Sequence, residues 1–138
     1  MMNVVTIKAA LIALVICLVA VGHAVAQSIK LSEPILINGD SNEDSKAALD
    51  LVAETAGEGK LIIMIARLGN GESSRRLSWR RLDTARSFLE SVRAVPKQRM
   101  ILAEGEVMRG QGRIEVYLDG KLYMINVFAR NKDFASEG

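Results

Sequence analysis

Thirteen consecutive apolar residues, Ala9 to Val21, follow a single positive charge at Lys8 and give way to the small-residue triplet Ala24-Val25-Ala26. A basic start, an apolar middle and a small-residue exit are the three regions of a secretory signal peptide. A membrane-crossing helix needs roughly 20 predominantly apolar residues, so the run predicts a removable leader over residues 1–26 and a mature start at Gln27. Cys17 reads as one more apolar residue of that leader rather than a lipid-attachment site. Ile16 stands where a small residue would be wanted, and apolar sequence continues beyond the cysteine.

Removing the leader limits what the rest can do. It carries the only cysteine, Cys17, and the only histidine, His23. A mature chain with neither has no disulfide, thiol nucleophile, imidazole base or Cys/His metal site, so no enzyme and no cofactor is expected. The 138 residues less 26 leave 112, enough for one domain. Seventeen Lys and Arg then face sixteen Asp and Glu, too even a balance to draw the chain to nucleic acid or a membrane surface by bulk charge. The expected location is the periplasm or cell envelope, with no transmembrane segment in the mature chain.

Hydrophobic spacing sets out the elements. Ile29, Leu31, Ile35 and Ile37 predict a strand over 29–38, with Pro34 suited to a sheet edge. Ser41-Asn42-Glu43-Asp44 is a helix start with an acid at the third helical position, Ala47, Ala48, Leu51, Val52 and Thr55 recur at helical spacing, and Gly57 and Gly59 end the segment. Leu61 to Ala66 is an unbroken apolar run, predicting a central strand buried on both faces, with Ile63 and Ile65 against the second helix. After Gly69-Asn70-Gly71, Ser73 or Ser74 caps that helix near Arg75. Its inner stripe is Leu82, Ala85, Leu89 and Val92, with Phe88 at the margin, and Pro96 marks the exit.

A third strand, Arg99 to Ala103, precedes a glycine-bearing loop, and then a hairpin turns at Asp119-Gly120, a type I′ signal. The simplest register sets Val116 opposite Tyr123 and Ile114 opposite Ile125. The result is an α+β fold, a two-layer β-α-β-α-β-β sandwich with a mixed sheet and two helices on one face. This domain spans 27–130, and 131–138 reads as a flexible tail.

Four stretches in this order resemble the OmpA-like peptidoglycan-binding domain family. Ser45 to Asp50 is similar to its first helix. Leu77-Ser78-Trp79-Arg80-Arg81-Leu82 with Phe88-Leu89 resembles its Leu-Ser-x-x-Arg-Ala helix, Ala103 to Glu106 its Gly-x-Gly-Glu turn, and Gly112 to Val116 its Arg-Arg-Val-Glu-Ile end strand. Leu122 to Arg130 adds a strand the typical domain does not need. The resemblance implies an envelope binding protein in which a loop Asp and a helix Arg hold the zwitterionic end of diaminopimelic acid, carboxylate to ammonium and guanidinium to carboxylate. Arg81 falls on the Arg position and Gly69 on the Asp position, leaving Asn70 or Glu72 as substitute acceptors.

The leading expectation is therefore a non-enzymatic module that contacts peptidoglycan or another carboxylate-bearing envelope ligand through Arg81, helped by Arg80, Arg113, Arg67, Asn70 and Glu72. Arg75, Arg76, Arg80 and Arg81 crowd a helix N-terminus, where cations oppose the macrodipole. The plain alternative for these arginines is a solvated face paired with Glu72, Asp83 and Glu90. Arg81, in register with Leu77, points nearer the sheet. Glu104 and Glu106 as paired glycosidase carboxylates lack a third polar group to separate their roles. Trp79 lies off the inner stripe, where an exposed ring beside arginines could stack on a sugar or a partner side chain, but the favoured reading packs it over a loop or sheet edge. Tyr117, Leu122, Met124 and Phe128 form a candidate apolar patch on the hairpin, and the other functional expectation is a structural or protein-interaction module that has lost the ligand site and assembles through this hairpin, with a partner or as a homodimer.

Overall fold

The computed structural model describes residues 32–39 and 41–134. The leader at 1–26, the first residues of the strand expected at 29–38, and residues 135–138 lie outside them. The elements are β1 Ile35–Asn38, α1 Asn42–Ala56, β2 Ile62–Arg67, α2 Arg75–Ser91, a 3-10 turn at Lys97–Arg99, β3 Met100–Glu104, β4 Arg113–Leu118 and β5 Lys121–Val127. The class is the expected α+β, a mixed sheet with two helices, but the sheet has five strands in the order β-α-β-α-β-β-β, one more than the expected β-α-β-α-β-β. The additional strand is not an edge appendage. In the sheet order β1-β5-β4-β2-β3 it is interior, parallel to β1 and antiparallel to β4.

Local chemistry accounts for the ends of α1, whereas Ser74, the N-cap residue of α2, makes no side-chain capping bond. Ser41 is the N-cap of α1, its hydroxyl accepting from the Asp44 N–H at 2.9 Å, and Glu43 and Asp44 in the first turn complement the dipole. Gly57, at φ 52°, ends the helix. The buried stripe of α1 is Ser45, Ala48, Leu49, Val52 and Ala56; Ala47, Leu51 and Thr55, expected inside, are exposed. On α2, Leu82, Ala85 and Leu89 face inward as expected, joined by Leu77, Ser78 and Arg81. Val92 does not: it caps the helix 62% exposed, and Val95 closes that end of the core instead.

One core lies between sheet and helices. Ile62, Met64 and Ala66 of β2, Ile114, Val116 and Leu118 of β4, and Met124 of β5 meet Leu49, Val52, Leu82, Ala85 and Leu89. Each fully buried Leu or Ile side chain contributes about 1.5–3 kcal/mol. The expectation that β2 is buried on both faces is corrected: Ile63 and Ile65 are only half-buried, and Ile62 and Met64 supply the core contacts in their place. Both helices pack on the same face, so alternate residues of an apolar strand end on different sides.

The hairpin turns at Asp119-Gly120 as expected, with φ of 48° and 80°, both in the left-handed region a type I′ turn requires. Tyr117 faces Leu122 and Leu118 faces Lys121, but a bulge then shifts the register, so that Val116 faces Met124 and Ile114 faces Asn126. Tyr123 is the extra residue; its hydroxyl meets the Thr55 hydroxyl of α1 at 2.8 Å. A one-residue slip exchanges the two faces of a strand. Met124 and Phe128, expected in an outer patch, are therefore core residues, 1% and 0% exposed.

The end of the described chain is packed rather than frayed. Phe134 is buried, its ring 5.1 Å from that of Phe128 at 72°.

Candidate functional site

Gly69-Asn70-Gly71-Glu72 forms a β-turn, with the Glu72 N–H donating to the Gly69 carbonyl at 3.1 Å and Gly71 at φ 75° in the third position. The turn aims Glu72 back under the start of α2. Arg81, two turns into that helix, comes from the opposite side. Arg81 Nη1 donates to Glu72 Oε2 at 3.0 Å and Nη2 to Oε1 at 2.8 Å, the two parallel bonds that guanidinium and carboxylate geometry favours. The side chains of Arg81 and Glu72 are 0% and 1% exposed.

The remaining capacity of both groups is taken by backbone. Arg81 Nε and Nη2 donate to the Lys132 carbonyl at 2.8 and 2.5 Å, while Glu72 accepts from the Gly69 N–H at 2.9 Å and the Asn131 N–H at 2.7 Å. The guanidinium carbon lies 4.7 Å from the centroid of the Phe128 ring, a cation–π contact. Gly112 passes so close that a Cβ would collide with the Glu72 carboxylate and Arg81 Nη1. Burial works against the Glu72 charge, but Arg81 and the Gly69 and Asn131 N–H groups outweigh it and lower its pKa to about 2.

Gly69 is equally confined. A Cβ on it would strike the backbone of Gly110, Gln111 and Gly112, because the loop after β3 lies along this segment, Asn70 N–H to Gly110 carbonyl at 2.8 Å and Met108 N–H to Leu68 carbonyl at 2.9 Å. No aspartate fits at that position. Both halves of the expected ligand clamp are thus committed internally, one to Glu72 and the other to backbone packing.

The other expected residues are dispersed. Arg67 and Arg113 are ladder partners on β2 and β4, on the sheet face opposite the helices. There they converge on Glu115, which was not singled out from sequence. Arg113 Nε donates to Glu115 Oε1 at 2.8 Å, Arg67 Nε ion-pairs with the same oxygen at 3.1 Å, and the Tyr117 hydroxyl donates to Oε2 at 3.0 Å. Burial opposes the Glu115 charge, yet Arg67, Arg113 and Tyr117 hold its carboxyl below the ordinary value, while burial and that carboxylate push the Tyr117 phenol up. Arg80 is exposed and ion-pairs with Asp133 at 3.0 Å, and Asn70 is exposed. Among the remaining basic residues of α2, Arg75 pairs with Glu104 and Arg86 with Asp83, both at 2.5 Å. Trp79 is 41% exposed.

The structure therefore pairs Arg81 with Glu72 and Arg67 with Arg113, and separates the two pairs by the thickness of the sheet. An arginine on an inner helical stripe signalled a buried partner. Nothing local signalled Phe128 or the Asn131 and Lys132 backbone. Alternation along Arg113-Ile114-Glu115-Val116-Tyr117 carried the signal for the second cluster. Among the described residues no group of three or more acidic, His or Cys side chains is placed to hold a metal ion, and no helix is long and apolar enough to cross a membrane. The chain matches no family model, no curated protein and no solved structure.

Proposed function

We propose that this chain is a non-enzymatic protein-interaction module of the cell envelope, exported by its leader and built on an OmpA-like fold whose ligand arginine has become structural. The observation that carries the reading is the sealed Arg81–Glu72 pair: an arginine with 0% side-chain exposure, doubly bonded to the chain's own carboxylate. A ligand carboxylate at Arg81 would have to displace Glu72 and the Lys132 carbonyl and leave a buried anion unpaired, a cost that runs to several kcal/mol. The confined Gly69 supports the same reading, since the partner aspartate has no room.

Sedimentation with purified sacculi at low ionic strength tests it. The protein is expected to stay in the supernatant, as does a Glu72→Gln variant that retains Arg81. Sedimentation of the unaltered protein, abolished by Arg81→Lys, would overturn the proposal in favour of peptidoglycan binding. Export is tested separately by N-terminal sequencing of the processed protein, with Gln27 expected first.

A further inference from the structure

Neither helix packs on the other face of the sheet, where apolar side chains flank a charged centre. Alternation brings Leu36, Ile63, Ile65, Ile101, Leu122 and Ile125 to it; the two at the edge strands, Leu36 and Ile101, are 71% and 47% exposed. Apolar side chains set around a charged centre are a composition suited to an interaction surface. At its centre, on the middle strand β4, sits Glu115, 3% exposed beneath Arg67, Arg113 and Tyr117. Two guanidiniums share one carboxylate, so the centre keeps one net positive charge. Arg67 Nε, 3.1 Å from Glu115 Oε1 but off the line for a hydrogen bond, is held there by charge.

We infer that this face docks a segment of another protein that presents a carboxylate between apolar side chains. The carboxylate meets the surplus charge of Arg67 and Arg113, and the flanking side chains cover the isoleucines and leucines. A second copy of the chain fits poorly. Packing two such faces together opposes like charges at the centre of the interface, which disfavours association. Five strands about 4.8 Å apart and about 17 Å long give a footprint of roughly 400 Å², about half of the ~800 Å² that one side of a standard interface buries. That area suits one peptide segment.

This inference rests on the interaction reading and deepens it. The test is selection from a displayed library of random 12-residue peptides against the purified protein, followed by affinity measurement of the enriched peptides as synthetic probes. Enriched sequences are expected to carry Asp or Glu flanked by Leu, Ile or Phe. Their Kd is expected to rise at least tenfold in Arg113→Gln and in the edge variants Leu36→Asp and Ile101→Asp, whose exposed positions leave the fold intact, and to rise with added salt. Peptides without a carboxylate, or peptides indifferent to all three variants, would overturn the docking face while leaving an interaction module standing. Disulfide-linked dimers formed through Ile101→Cys would overturn it in favour of self-association. Sacculus binding through Arg81, by contrast, would remove the interaction reading itself.

Discussion

Arg81 and Glu72 meet through two hydrogen bonds of 3.0 and 2.8 Å in a place closed to solvent, nine residues apart in sequence but held from behind by backbone some 50 to 60 residues further on. The pair joins the loop after β2, the second helix and the segment after β5, so its energetics reach all three.

Breaking one side of the pair leaves an uncompensated buried charge, whereas removing both sides does not. Arg81→Met is expected to cost about 3–5 kcal/mol in urea unfolding. The double variant Arg81→Met with Glu72→Leu is expected to be more stable than Arg81→Met alone. A double variant less stable than either single one would show that the pair acts through something other than its charge.

The pair also makes stability depend on pH in a defined direction. Glu72 sits near pH 2 in the folded chain against an ordinary value of 4.5, so its contribution is present above about pH 4.5 and is lost as pH falls toward 2. It amounts to ~3 kcal/mol. Unfolding free energies of the protein and of Glu72→Gln are expected to differ most at pH 7, to draw together below about pH 4.5 and to converge only at about pH 2 and below. A gap independent of pH would refute the assignment.

The bulge in the final hairpin makes opposite demands on neighbouring residues. Met124→Lys puts an ammonium into the core at a 1% exposed position and is expected to cost several kcal/mol. Leu122→Lys, on the open face, can keep its charge in water and is expected to cost under about 1 kcal/mol. Thermal melts of the two variants decide the register, and equal losses would argue for the unbulged pairing.

The packed C-terminal segment uses one side chain and one carbonyl. Phe134→Ala removes the ring set against Phe128 and is expected to cost about 3 kcal/mol. Lys132→Ala is expected to move stability by less than about 0.5 kcal/mol, because Arg81 takes only the Lys132 carbonyl. Chemical denaturation of both variants separates the backbone role from the side-chain one.

What the amino-acid sequence determined by itself is what neighbours along the chain settle: the Ser41 cap, the glycine stop at Gly57, the Asp119-Gly120 turn, the places of the two helices, and the inward placing of Leu82, Ala85 and Leu89. Each follows from dihedral preference, capping or spacing within a few residues. Tertiary structure alone decided which face of β2 is the core, since an unbroken run of Ile and Met fits either side until the helices choose one. It decided the bulge at Tyr123, which brings Met124, Asn126 and Phe128 under the helices and gives Asn126 a hydrogen bond to Ser45 at 3.2 Å. And it decided the fate of Arg81, whose side chain reads alike for a ligand or for Glu72: the difference lies in backbone groups at 131 and 132, too distant in the chain for any local pattern to announce, which complete the bonding of the buried charges and leave a ligand no place to enter.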